Sequence, residues 1–159
     1  SPPCGVLAEM FASERWRVAT QELERKHVAK PKLFISYDYD NDRHYKNMLV
    51  ACDKNDEFDF AFSDHLAHVS LHIKSAEGIQ LELLIKLTSA THFLWIVGSE
   101  TISSIWVAWE IDKAKELKKK LVAVKTASDN RTPNGLLNAG ALWAMSFTFD
   151  AIKKAVEGA

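Results

Sequence analysis

Cysteine is scarce in this chain: Cys4 and Cys52 are the only two in 159 residues, with no Cys-x-x-Cys pair and no zinc spacing. That excludes a disulfide-stapled scaffold and fits a reducing compartment with free thiols, so a cytoplasmic location is expected. Long apolar runs are missing too. No stretch approaches the roughly 18 residues of a membrane span, and the opening SPPCGVLAEMF has no basic segment of the kind that begins a secretion signal. A soluble protein without a membrane partner is expected. An excess of one charge is also lacking, since 20 Lys and Arg stand against 21 Asp and Glu. Bulk attraction to a polyanion such as nucleic acid is thereby excluded. Internal repeats and low-complexity tracts are absent. What is present is 47% hydrophobic residues over a length that suits one ordinary domain with a real core.

The apolar residues come in short runs separated by helical patterns. Residues 1–31 hold a Pro pair and then SERWRVATQELERKHV, a charged helix opened by Ser13 with Trp16, Ala19 and Leu23 on one side. This is an accessory helical segment, either laid on the domain or used to tether a partner. The domain proper runs over 32–159. Its first strand is KLFISY (Lys32 to Tyr37), followed by the acidic loop DYDNDRHY and a helix that Asp42 can cap, with Tyr45, Met48, Leu49 and Cys52 inward. FDFAF (Phe58 to Phe62) is a second strand. Ala76 to Ser89 is an amphipathic helix with Ile79, Leu83, Leu84 and Leu87 inward, Thr91 to Val97 is a third strand, and LVAVK (Leu121 to Lys125) is a fourth. A turn-rich loop, the edge segment GALWAMSF and a short helix from Asp150 to Val156 close the chain. Strands alternating with helices predict an α/β fold: a doubly wound, mainly parallel five-stranded sheet with helices on both faces. In such sheets ligands gather outside the carboxyl ends of the strands, so the loops after Tyr37, Phe62 and Val97 are the candidate site.

The most informative stretch is GSETISSIWVAWEIDKAKELKKK, Gly98 to Lys120. The strand stops at a glycine, and a helix starts with Ser103 or Ser104 as its cap. Val107, Ala108, Ile111 and Ala114 fall at the spacing of a face packed on a sheet, and the lysines cluster where the helix dipole favours cations. Glu110 lies beside Trp106 and Trp109. A carboxylate among tryptophans near a helix start is poorly solvated and can be aimed at a cation or at hydroxyls. The plain alternative is a solvated carboxylate paired with Lys113 or Lys115. For Trp106 and Trp109 the alternative is core packing, and for Asp38, Asp40 and Asp42 it is turn and cap duty. His65, His68 and His72 would share one face of a helix, but neither a fourth ligand nor second-shell support is visible, so no metal site is expected.

KLFISYDYDNDRHYKNMLV, FDFAFSD, THFLWIVGSETISSIWVAWEIDKA and TPNGLLNAGALWAMSFTFDAIKKAV together resemble the TIR-like proteins of the Thoeris antiphage defence system, a bacterial branch of the Toll/interleukin receptor domain superfamily. The resemblance covers Lys32 to the end, and its most specific piece is W-V-x-W-E-I after a G-S-x-T turn. It implies a flavodoxin-like fold and an enzyme that takes NAD as substrate, with no further cofactor. It implies release of nicotinamide and a cyclic ADP-ribose isomer or related signal, self-association, and a separate effector that reads the product. The family's catalytic glutamate falls on Glu110, its first-strand aromatic on Phe34, the serine after that on Ser36, and its acidic residue after the second strand on Asp64. Phe34, Tyr37 or Trp109 would then offer a face for stacking.

That chemistry suits a lone carboxylate. The nicotinamide leaving group is already cationic and needs no general acid, and the charge developing on the ribose needs one nearby anion. Two other classes share the fold. A non-catalytic TIR-type interaction module would be expected to lack Glu110, which is present. A nucleoside deoxyribosyltransferase also uses a glutamate, attacking a sugar carbon. A phosphoacceptor receiver needs an aspartate after the third strand, where this chain has GSE.

Overall fold

The computed structural model describes residues 14–27, 30–62 and 76–159. The chain divides into two units, Ser1–Lys30 and Pro31–Ala159. In the first, α1 (Glu14–His27) is a helix on which Trp16 and Val18 are exposed. Ser13, expected to open this helix, lies outside the described residues.

The second unit alternates strand and helix as expected: β1 (Lys32–Ser36), α2 (Tyr39–Cys52), β2 (Asp59–Phe62), α3 (Ala76–Ser89), β3 (His92–Val97), α4 (Ile105–Glu116), β4 (Lys120–Lys125), β5 (Leu142–Trp143) and α5 (Phe149–Gly158). The five strands form one sheet in the order β2-β1-β3-β4-β5, and every pairing is parallel. Because side chains alternate across a strand, the sheet builds two cores. Phe34, Phe93, Trp95 and Ala123 point to one face, where Leu83 and Leu87 of α3 and Val107, Ile111 and Ala114 of α4 cover them. Leu33, Ile35, Leu94, Ile96, Val122 and Val124 point to the other, under Leu49 of α2 and Ile152 and Val156 of α5. All six residues of β3 are buried, as a central strand covered on both faces requires. Among the described residues no helix is long and apolar enough to cross a membrane.

Two expectations need correction. Asp38, not Asp42, caps α2: it sits in extended backbone and its carboxylate accepts from the Asp40 amide at 3.1 Å. Starting the helix there rotates its register, so Asp42, Lys46 and Leu49 face the sheet while Met48 and Cys52 face solvent. On α4 the residue joining Val107, Ile111 and Ala114 in the buried stripe is Glu110, and Ala108 is exposed. The edge segment GALWAMSF supplies the expected fifth strand through Leu142 and Trp143, both exposed.

Candidate active site

Glu110 owes its position to the cap of its helix. Ser104 accepts a hydrogen bond from the Val107 amide at 3.3 Å and fixes where α4 starts. From that start, residues 107, 110, 111 and 114 fall on one stripe, which places a carboxylate in a row of apolar side chains. Glu110 is 2% exposed. Its Oε2 accepts a hydrogen bond from the Ser36 hydroxyl at the end of β1, itself fully buried. Burying a carboxylate costs several kcal/mol unless hydrogen bonds replace the lost water, and the serine supplies such a bond.

The plain reading of Glu110 as a solvated partner of Lys113 or Lys115 does not survive this geometry. Lys113 pairs with Glu116 at 3.0 Å, and the Lys115 ammonium donates to the Gly135 carbonyl at 3.1 Å. Across the sheet, Ser36 lies opposite Trp95. The Trp95 indole N–H is buried with no hydrogen-bond acceptor among the described residues. An orphaned donor costs about 1–3 kcal/mol, and it stands in the layer that holds Ser36 and Glu110.

The other expected site residues are dispersed. Phe34 is fully buried on the same face as Ser36, its ring 5.0 Å from that of Phe93. Tyr37 is buried in the opposite core, with the Lys46 ammonium 5.6 Å from its ring. Trp109 is half-buried and packs against the α3 and α4 core, as Trp106 does, with Lys113 5.9 Å over its ring. Asp64 and the histidines 65, 68 and 72 lie outside the described residues. Cavities bordered by described residues include ones of about 690, 220 and 400 Å³, and these three lie away from Glu110.

A second acidic residue, expected from sequence only as a cap or turn residue, ties α2 to the loop after β3. Asp42 is buried, and the Thr101 hydroxyl lies 3.4 Å from its Oδ2 while accepting from the Gly98 amide at 2.8 Å. A Cβ on Gly98 would stand 2.1 Å from the Asp42 carboxylate, so the glycine that ends β3 is needed for this approach. Burial, with a smaller push from Asp38, raises the Asp42 pKa from 3.8, against the pull of Thr101 and His44. The folded protein therefore holds this proton more tightly than the unfolded chain does. Its contribution to stability grows as pH falls through the window above 3.8 and becomes a constant penalty above the raised value. Asp42→Asn keeps an acceptor for Thr101 and removes the charge. It is expected to be more stable than the parent at pH 7, with the gap closing near pH 4. Urea unfolding at both pH values checks this, and an equal gap at both would refute it.

A parallel sheet in this order, with helices on both faces, defines a flavodoxin-like α/β domain. Residues 34–131 match the family described as Thoeris protein ThsB, TIR-like domain. The chain belongs to that family, and the matched span includes Ser36 and Glu110. No curated protein matches the sequence. Among solved structures, a conserved protein from Enterococcus faecalis V583 is 16% identical with a TM-score of 0.53, over 65% of this chain and 69% of that one. A 2-desoxiribosyltransferase from Leishmania mexicana is 14% identical with a TM-score of 0.54, over 78% of this chain and 95% of that one. At these identities the likeness is one of fold.

Proposed function

We propose that this TIR-like Thoeris protein consumes NAD, cleaving the bond between nicotinamide and ribose and converting the remainder to a cyclic ADP-ribose isomer or a related signal. One observation carries the reading: the glutamate of the W-V-x-W-E-I string is buried against Ser36 at the carboxyl end of β1, the edge where such sheets bind ligands. The Ser36 hydroxyl holds the place that a ribose hydroxyl would take, since both are O–H donors to one carboxylate. Exchange of the serine for the sugar sets the Glu110 anion beside the ring on which positive charge develops. The electron pair of the broken bond goes to the pyridinium nitrogen, so nicotinamide leaves neutral and without a proton.

The attacking group then decides the product. Water gives ADP-ribose and releases a proton, whereas an adenine nitrogen or an adenosine ribose hydroxyl closes a ring. Low water access favours cyclisation, and a carboxylate this buried supports it. Ser36, Glu110 and the half-buried Trp109 would make the first contacts, over a floor that includes Phe34. Self-association and a separate effector that reads the product complete the proposal.

The test is mass spectrometry of nucleotides from cells carrying the intact gene, with and without phage challenge. Loss of NAD with a new ADP-ribose isomer is expected after challenge. Unchanged NAD in challenged, defended cells would overturn the reading. Exchange of bases on added deoxynucleosides by the purified protein would replace it with deoxyribosyl transfer.

A further inference from the structure

A second feature of the sheet's carboxyl edge lies away from Glu110. In the parallel register Ser36, Trp95, Ala123 and Trp143 stand opposite one another across β1, β3, β4 and β5. They form a lateral row on the face that α4 covers, and three strand spacings of ~4.8 Å separate its ends by about 14 Å. At the far end of this row is a cavity of about 400 Å³, bordered by Lys125, Thr126, Ser128, Trp143, Ser146 and Phe147 among others. That volume lies within the range of small-molecule sites, about 300–1,000 Å³.

Its chemistry is specific. Trp143 is 37% exposed although it sits in the sheet, because β5 is an edge strand of two residues. The Lys125 ammonium stands 5.8 Å from the centre of its ring. Among the described residues that line the cavity none is acidic. The loop beside it is fixed by Asn130, whose amide donates to the Val97 carbonyl at 2.9 Å and to the Thr126 hydroxyl oxygen at 2.8 Å. Thr126 can therefore turn its own O–H outward. An aromatic face, one ammonium beside it and hydroxyl donors at the margin match a flat heterocycle joined through a sugar to a phosphate.

We propose that this β4–β5 cavity binds the adenosine phosphate half of a dinucleotide, with adenine on Trp143 and a phosphate on Lys125. The extension to a dinucleotide rests on the NAD reading of Glu110, and the row from Ser36 to Trp143 gives the span between the two halves. The nucleoside phosphate site itself stands on the cavity alone.

Calorimetric titration of the full chain with adenosine monophosphate tests the site, with adenosine and inorganic phosphate as single-part probes. Binding is expected in the parent and unchanged in Glu110→Gln, and weaker by at least about tenfold in Trp143→Ala and in Lys125→Gln. Adenosine should respond to Trp143 alone, and phosphate to Lys125 alone. No binding by the parent, or binding by both rim variants undiminished from the parent, overturns the proposal. A second arm compares NAD with nicotinamide mononucleotide, which lacks the adenosine half. The rim variants are expected to lower kcat/KM for NAD about tenfold and to leave that for the mononucleotide unchanged. Rim-dependent nucleotide binding in a protein that turns over neither compound would keep the site and remove the NAD reading. Loss on both substrates alike would mean that the rim does not hold the adenosine half.

Discussion

Glu110→Gln is expected to lower nicotinamide release from NAD by about a thousandfold or more while leaving the thermal midpoint close to that of the parent. Removing one group that stabilises transition-state charge in a water-poor site costs on the order of 10²–10³ in kcat, and here the group lost is the charge itself. Glutamine fills the same volume in the stripe of Val107, Ile111 and Ala114, and its carbonyl oxygen still accepts from the Ser36 hydroxyl. Stability is therefore set by two opposed changes: a weaker hydrogen bond, and relief of the cost of a buried carboxylate. Alanine would be a poorer probe, because it would also leave a hole beneath the sheet. Chromatographic quantification of nicotinamide, on protein taken from challenged cells and with a melting curve as control, reads both outcomes. Undiminished turnover would remove Glu110 from the mechanism. Collapse of the fold would show that the carboxylate is structural.

The architecture was legible because its signals are periodic. KLFIS, HFLWIV and KLVAVK are apolar runs too short for helices and too continuous for half-exposed strands, which is the signature of parallel strands covered on both faces. Glu110 was legible through the motif around it, although its spacing from Val107 and Ala114 already placed it on the buried stripe. Asp42 was misread because Asp38, Asp40 and Asp42 are all chemically able to cap a helix. Only the backbone at Asp38 decides among them, and a start at Tyr39 turns Asp42 inward. The partnership of Asp42 with Thr101 and Gly98 spans 59 residues. No local pattern encodes a contact of that range, nor the row linking Ser36 to Trp143, which exists only once the register of four strands is set.

Phe34 is where packing and catalysis can be told apart. It is fully buried, its ring meets Phe93, and it shares a core with Trp95, Val107 and Ile111. Phe34→Ala is expected to cost about 3–5 kcal/mol, as truncation of a buried aromatic does, and to lower the thermal midpoint by on the order of 10 °C. A loss that large reduces activity whatever the side chain's role, so alanine alone decides nothing about catalysis. Phe34→Leu keeps most of the apolar volume and is expected to cost less than about 1.5 kcal/mol. If Phe34 is a floor for Ser36, the leucine variant keeps the KM for NAD and loses little kcat, because Ser36 and Glu110 stay in register. A stable Phe34→Leu protein with KM raised tenfold would instead put the ring in contact with substrate. The β1 end would then have to open further than its packing against Phe93 implies.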